Sequence, residues 1–144
     1  MNIFIARDLN DFAQCIMIRT LVFVVEQQIS ANLETDEFEN SSTHYLVTNK
    51  HNSLATARWR FVDDRTAKIE RVAVLKEARG KGIGRELIQC ILNEIHLNSK
   101  IQMIKVGSQN SAIPFYEKLG FKVIGQEYLD AGIPHHLMVK SNGN

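Results

Sequence analysis

Three glycines at alternate positions, Gly80, Gly82 and Gly84, follow a β-like stretch and stand directly before an amphipathic helical pattern, interleaved with Arg79, Lys81 and Arg85. The first turn of a helix carries free N–H groups, and glycine lets the backbone approach oxygen atoms with no Cβ in the way. Cations at the same point favour a multiply charged anion. The chemistry this segment offers is phosphate binding. A dinucleotide fingerprint would need its third glycine where Arg85 stands, and a P-loop would need G-x-x-x-x-G-K-[ST]; neither spacing is met. The plain alternative is a glycine-rich turn with solvated cations.

Arg79-Gly80-Lys81-Gly82-Ile83-Gly84 also fits the R/Q-x-x-G-x-G/A acyl-CoA signature, and Asn110 with Pro114-Phe115-Tyr116-Glu117-Lys118-Leu119-Gly120-Phe121 forms a second block. On these two segments the chain resembles the GNAT (Gcn5-related N-acetyltransferase) superfamily over essentially its whole length. Arg19-Thr20-Leu21-Val22-Phe23-Val24-Val25-Glu26-Gln27, Glu34-Thr35-Asp36-Glu37-Phe38-Glu39 and Asp130-Ala131-Gly132-Ile133-Pro134-His135 look like the small bacterial YjcF-like and ElaA-like subgroup. Arg19, Phe23 and the acidic run also resemble acyl-homoserine-lactone synthases, without the tryptophan usual in their N-terminal block. The resemblance implies acetyl-CoA as acyl donor, an amine as acceptor, direct attack of the amine on the thioester, and no metal.

Such a transfer needs a neutral amine, a polarised carbonyl and a proton for the departing thiolate. A phenol with a reference pKa of about 10, against about 8.5 for a thiol, suits the last task, and the resemblance makes Tyr116 the general acid. Core packing beside Phe115 is its alternative role. The resemblance also implies that a backbone N–H around Val72, Ala73 and Val74 holds the acyl carbonyl on a strand splayed from its neighbour, and that Asn110 bonds the pantetheine arm. Asn110 is equally placed to cap a helix.

Three residues suit the general base: His135, Glu70 and Glu26. An imidazole titrates near neutrality, and a carboxylate in a desolvated cleft rises toward it. The Pro-His-x-x-Met setting of His135 resembles a catalytic histidine of glyphosate-acetylating GNAT relatives, and strand alternation turns only one of His135 and His136 inward. Alternation also sends Glu70 and Arg71 to opposite faces. Arg19 interrupts an apolar helix face, where a buried guanidinium needs a carboxylate or an anionic ligand. If Arg19 and Arg71 both line the cleft, the acceptor carries a carboxylate or phosphonate beside its amine. An internal ion pair of Arg19 with Glu26 or Glu70 is the competing arrangement.

These residues require a scaffold whose order reads βαβββαβαββ, a mixed, mostly antiparallel sheet flanked by helices in one α/β (α+β) domain spanning residues 1–144. Met1 to Ala6 predicts a strand, and Phe12, Cys15, Ile16, Arg19, Val22 and Phe23 a helix capped by Asp8 or Asn10. The polar stretch 32–42 reads as an exposed loop or short helix overhanging a cleft. Strands are expected at 44–48, 53–62 and 66–75, separated by turn-formers. Ile83, Leu87, Ile88, Ile91, Leu92 and Ile95 make one continuous helical stripe. A strand at 101–106, a short helix at 111–119 stopped by Gly120, and strands at 121–124 and 136–140 complete the order, with Pro134 in a loop.

Lys plus Arg (17) nearly balances Asp plus Glu (16), so no global field recommends nucleic acid or an anionic membrane as partner. No run reaches the roughly 18 apolar residues of a membrane span, and the N-terminus lacks a signal-peptide pattern, so the expected location is the cytoplasm. Cys15 and Cys90 lie in helical patterns without zinc spacing and read as buried thiols. Exposed sheet edges and the habit of the family favour a homodimer. A non-catalytic acyl-CoA-binding module is the second function class, and a nucleotide-binding or nucleic-acid-binding domain the third.

Overall fold

A computed structural model describes residues 1–143. Seven strands form one sheet in the order β1-β2-β3-β4-β5-β7-β6: β1 (Asn2–Ile5), β2 (Thr43–Asn49), β3 (Asn52–Asp63), β4 (Thr66–Val74), β5 (Met103–Gln109), β6 (Lys122–Asp130) and β7 (Ile133–Ser141). Every neighbouring pair is antiparallel except β4 and β5, which run parallel. A parallel pair needs a crossover, and α3 (Ile83–His96) supplies it. The phosphate loop is the short connection from the end of β4 into α3.

Strand alternation splits the core between the two faces of the sheet. On one face Tyr45, Val47, Ile69 and Val106 pack under Leu87, Ile88, Ile91 and Ile95 of α3, all with 2% exposure or less. On the other, Leu46 and Ala73 meet Cys15 and Ile18 of α1 (Leu9–Arg19), whose first turn is capped by the Asp8 side chain bonding the Asp11 N–H at 2.8 Å. The α3 stripe is what its sequence period requires, and truncating Leu87 to alanine would cost about 2–5 kcal/mol. Among the described residues no helix is long and apolar enough to cross a membrane.

Several elements depart from their sequence reading. The first helix does not stop at Phe23 but continues as a π-helical segment over Thr20–Glu26. The last two strands extend into one hairpin joined at Ala131 (φ 51°) and Gly132 (φ 77°), so Pro134 is inside β7 rather than in a loop. It pairs with Leu129 of β6, while β5 ends at Gln109 opposite His135. Cys15 is fully buried, whereas Cys90 is only half-buried.

The acidic run turns Glu34, Asp36 and Glu39 inward, while Glu37 stays exposed. Glu34, at the end of the one-turn helix α2 (Ala31–Glu34), is 4% exposed. The reason is a set of arginines beneath it. Arg19 donates to Glu34 and Glu39, and Arg58 of β3 donates to Asp36, Glu39 and Glu70. Buried guanidinium groups are tolerated only when paired in this way.

Candidate active site

Of the nine residues of β4, only Thr66 to Ile69 pair with β5, ending at Ile69 opposite Val106. Beyond that point the two strands part. The β3–β4 register explains how. Thr56 faces Ala73 and Arg58 faces Glu70, so Arg71 and Val72 together oppose Ala57. This is a β-bulge, and Arg71 occupies it with φ 55°, the left-handed conformation that side chains disfavour. Bulges bend a strand and free its backbone groups. Val72, Ala73 and Val74 consequently line a cavity of about 530 Å³ that opens between β4 and β5.

At one end of the cavity stands the glycine loop. Gly80 and Gly82 have φ of 78° and 79°, and Gly82 is the N-cap of α3 with no side chain capping that end. The first N–H groups of α3, from Ile83, Gly84 and Arg85, are therefore open to an anion. Gly84 lies on the cavity wall, where a Cβ would touch Val74 and Phe115 at 3.5 and 3.6 Å. Arg79 is less free than its position suggests. Its two terminal nitrogens bond the Glu26 carboxylate at 2.6 Å each, and its Nε donates to the Val74 carbonyl at 3.0 Å. The bond from Arg79 lowers the pKa of Glu26. Glu26 is thus an exposed partner of the loop and is absent from the cavity wall.

Tyr116 reaches the cavity from α4 (Ile113–Lys118). Its ring meets Phe115 and Phe121 edge-on, with centroids 4.9 and 5.8 Å away, so packing and exposure to the cavity coexist. Burial pushes its phenol pKa upward, which keeps the hydroxyl protonated and able to donate. Asn110 begins the 3-10 turn before α4 but neither caps it nor lines the cavity. Its amide donates to Glu127 at 2.7 Å, and its carbonyl oxygen accepts from the His136 ring at 2.8 Å.

His135 turns inward and His136 does not. His135 is 8% exposed, lines the cavity, and its Nδ1 bonds the Ile133 carbonyl at 2.7 Å. That bond makes Nδ1 the donor, which leaves Nε2 with the lone pair. Glu70 also borders the cavity, yet its carboxylate is committed to Arg58 at 3.0 Å and Arg60 at 2.7 Å. Burial alone would raise its pKa, but the bonds and charges of Arg60, Arg58 and Lys68 outweigh it and hold the group ionised below its ordinary range. A carboxylate so paired is a poor base.

Arg19 does not reach the cavity: it is 1% exposed and spends its donors on Glu34 and Glu39. The expected place of Arg19 on the cleft is therefore not met, and the competing ion pair forms with Glu34 and Glu39 instead of Glu26 or Glu70. Arg71 does border the cavity, bonding the Glu34 carbonyl at 2.9 Å and Asp36 at 3.2 Å. The bulge is also why Glu70 and Arg71 both reach the wall although neighbours in a regular strand face opposite ways.

Sequence reasoning missed Tyr128, which lines the cavity and stacks on His135 with centroids 5.7 Å apart and planes 28° apart. The signal was present: Ala131-Gly132 is a two-residue hairpin turn, and counting back from it sets Tyr128 opposite His135. Gln27 and Gln109, bonded to each other at 2.9 Å, and Lys68 are further wall residues without a local motif.

A mixed sheet split beside a glycine-rich helix start, with a phenol and an imidazole in the cleft, is the architecture of an acyltransferase. The comparisons with known proteins agree. Residues 19–142 match the model of the acetyltransferase (GNAT) domain, and the chain belongs to that family. It is 36% identical over 141 residues to the uncharacterized N-acetyltransferase YjcF of Bacillus subtilis, spanning 97% of this chain and 99% of that protein. The crystal structure of Escherichia coli ElaA superposes with a TM-score of 0.86 at 23% identity, covering 96% of this chain and 98% of that one. A GNAT acetyltransferase of Elizabethkingia anophelis, solved with acetyl-CoA bound, gives a TM-score of 0.70 at 15% identity and covers 97% of each chain.

Proposed function

We propose that this protein transfers the acetyl group of acetyl-CoA to the primary amine of a small, amino-acid-like molecule by direct attack. The observation that carries the reading is the parting of β4 from β5 after Ile69 and Val106, directly beside the Gly80–Gly84 loop, with Tyr116 and His135 on the same cavity. The free N–H groups of the loop and of the start of α3 bind the pyrophosphate, helped by Lys81 and Arg85. The pantetheine arm lies along Val72, Ala73 and Val74, and a backbone N–H of that edge polarises the thioester carbonyl.

The amine nitrogen forms its bond to the acyl carbon while His135 Nε2 takes the proton it sheds. Collapse of the tetrahedral intermediate breaks the carbon–sulfur bond, and Tyr116 delivers a proton to the leaving sulfur. The products are an amide and CoA. For the acceptor, the relevant charges are Arg71 and its surroundings. Arg19, Arg58, Arg60, Arg71 and Lys68 are interleaved with Glu34, Asp36, Glu39 and Glu70 in one ion-pair network, and Asp130 adds a carboxylate to the cavity wall. Arg71 and Lys68 both border the cavity, and a guanidinium and an ammonium placed there suit a carboxylate beside the amine.

Thiol release from acetyl-CoA, measured with acidic amino acids and with polyamines, tests both halves. Release with the acidic amino acids supports the reading. A clear preference for polycations overturns the acceptor assignment, and acetyl-CoA binding without release for any amine favours a non-catalytic acyl-CoA-binding module.

A further inference from the structure

Tyr128 lies on β6, two strands away from β5, yet its hydroxyl reaches β5 across β7: the oxygen lies 2.7 Å from where a Cβ on Gly107 would stand. A Cβ on Gly107 would have to push the Tyr128 hydroxyl aside. Gly107 is also the first residue of β5 past the last β4–β5 pair, Ile69 with Val106. The phenol oxygen therefore stands at the point where the two strands separate, the closed end of the slot. From Val74, beside the phosphate loop, to Ile69 is five residues, or about 17 Å of strand. A thioester arm that enters at the loop and follows β4, with its carbonyl on the Val72–Val74 edge, points the tail of its acyl chain toward this closed end.

We infer that the Tyr128 side chain is the end wall of the acyl pocket and restricts the donor to short acyl groups, acetyl before longer chains. The inference rests on the acyl-CoA reading above. Two features hold the wall in place: the ring stacks on His135, and β6 pairs Tyr128 directly with His135 in the register set by the Ala131-Gly132 turn. Burial, with Asp130 adding to it, raises the phenol pKa, so the wall is neutral and carries no charge toward the acyl chain. Tyr128 is 39% exposed on an edge strand, which makes it replaceable without opening the core.

The test is direct binding of acetyl-, butyryl- and hexanoyl-CoA by calorimetry to the parent, Tyr128→Phe and Tyr128→Ala, with no amine present. In the parent, affinity is expected to fall about tenfold or more from acetyl- to hexanoyl-CoA, one to two methylenes being enough for such a ratio in a filled pocket. Tyr128→Ala should erase that ratio, and Tyr128→Phe, which keeps the ring but gives up the oxygen, should relax it partly. The phenylalanine variant preserves the test if the alanine variant fails to fold. A chain-length ratio unchanged in a folded variant, or no ratio in the parent, overturns the inference alone. Failure of the parent to bind any acyl-CoA overturns the donor assignment and the wall with it.

Discussion

The Arg71 guanidinium donates from Nε to the Glu34 carbonyl at 2.9 Å, tying the left-handed bulge residue of β4 to the acidic loop that covers it. Arg71→Gly and Arg71→Ala both break the tie, but only alanine keeps the unfavourable φ of 55°. Chemical denaturation should find the glycine variant more stable than the alanine variant by about 1–2 kcal/mol. Equal stabilities would show that the bulge conformation is absent in solution. Both variants should weaken an acidic acceptor by about tenfold in KM, as expected for loss of a charged bond.

Asp36 and Glu39 predict an acid limb in the stability curve. The Arg58 bond holds Asp36 at about 2 against an ordinary 3.8, and for Glu39 burial pushes upward but bonds from Arg19 and Arg58 outweigh it, giving about 2 against 4.5. Depressed folded-state pKa values mean stability that is complete above the ordinary carboxylate range and is lost as pH falls toward 2. Circular dichroism between pH 5 and about 2 should show a shallower loss for Asp36→Asn than for the parent. Identical slopes would remove Asp36 from the account.

Tyr116→Phe retains the ring between Phe115 and Phe121 and removes only the proton donor. Turnover should fall by about 100-fold while acetyl-CoA binding and melting temperature stay near the parent values. A variant with parental kcat would assign the acid role elsewhere.

His135 and His136 are adjacent, and their variants should not behave alike. His135→Ala removes the inward ring and should lower kcat by about 100-fold. His136, whose Nδ1 is bonded to Asn110 away from the cavity, should tolerate alanine with kcat close to the parent. Steady-state kinetics on a saturated donor separates the two.

The glycines of the phosphate loop should also differ from one another. Gly82 has open space around it but a φ of 79°, so Gly82→Ala costs backbone strain of about 1–2 kcal/mol and should weaken CoA binding by about tenfold. Gly84 has ordinary helical geometry, and the Cβ of Gly84→Ala meets Val74 and Phe115 at normal contact distances, so binding should stay close to the parent. Titration calorimetry with CoA reads both.

Much of the molecule was legible in its residues one stretch at a time. The stripe Ile83 to Ile95, the order of elements, the glycine loop and the fact that only one of His135 and His136 turns inward follow from spacing and local backbone preference, which neighbouring residues alone enforce. The network around Glu34, Asp36 and Glu39 was not legible. Composition counts each charge as a reason for exposure, whereas burial was decided by pairing, and Arg19 finds Glu34 fifteen residues away while Arg58 finds Asp36 across twenty-two. The same holds for the parting of β4 from β5 and for the reach of Tyr128 over Gly107. Those depend on the register and angle between strands far apart in sequence, and a bulge of one residue at Arg71 changes which groups face the cavity. The sequence alone determined the glycine loop and the alternation that turns a single histidine inward; tertiary structure decided which charges are spent inside the fold and which residues wall the cleft.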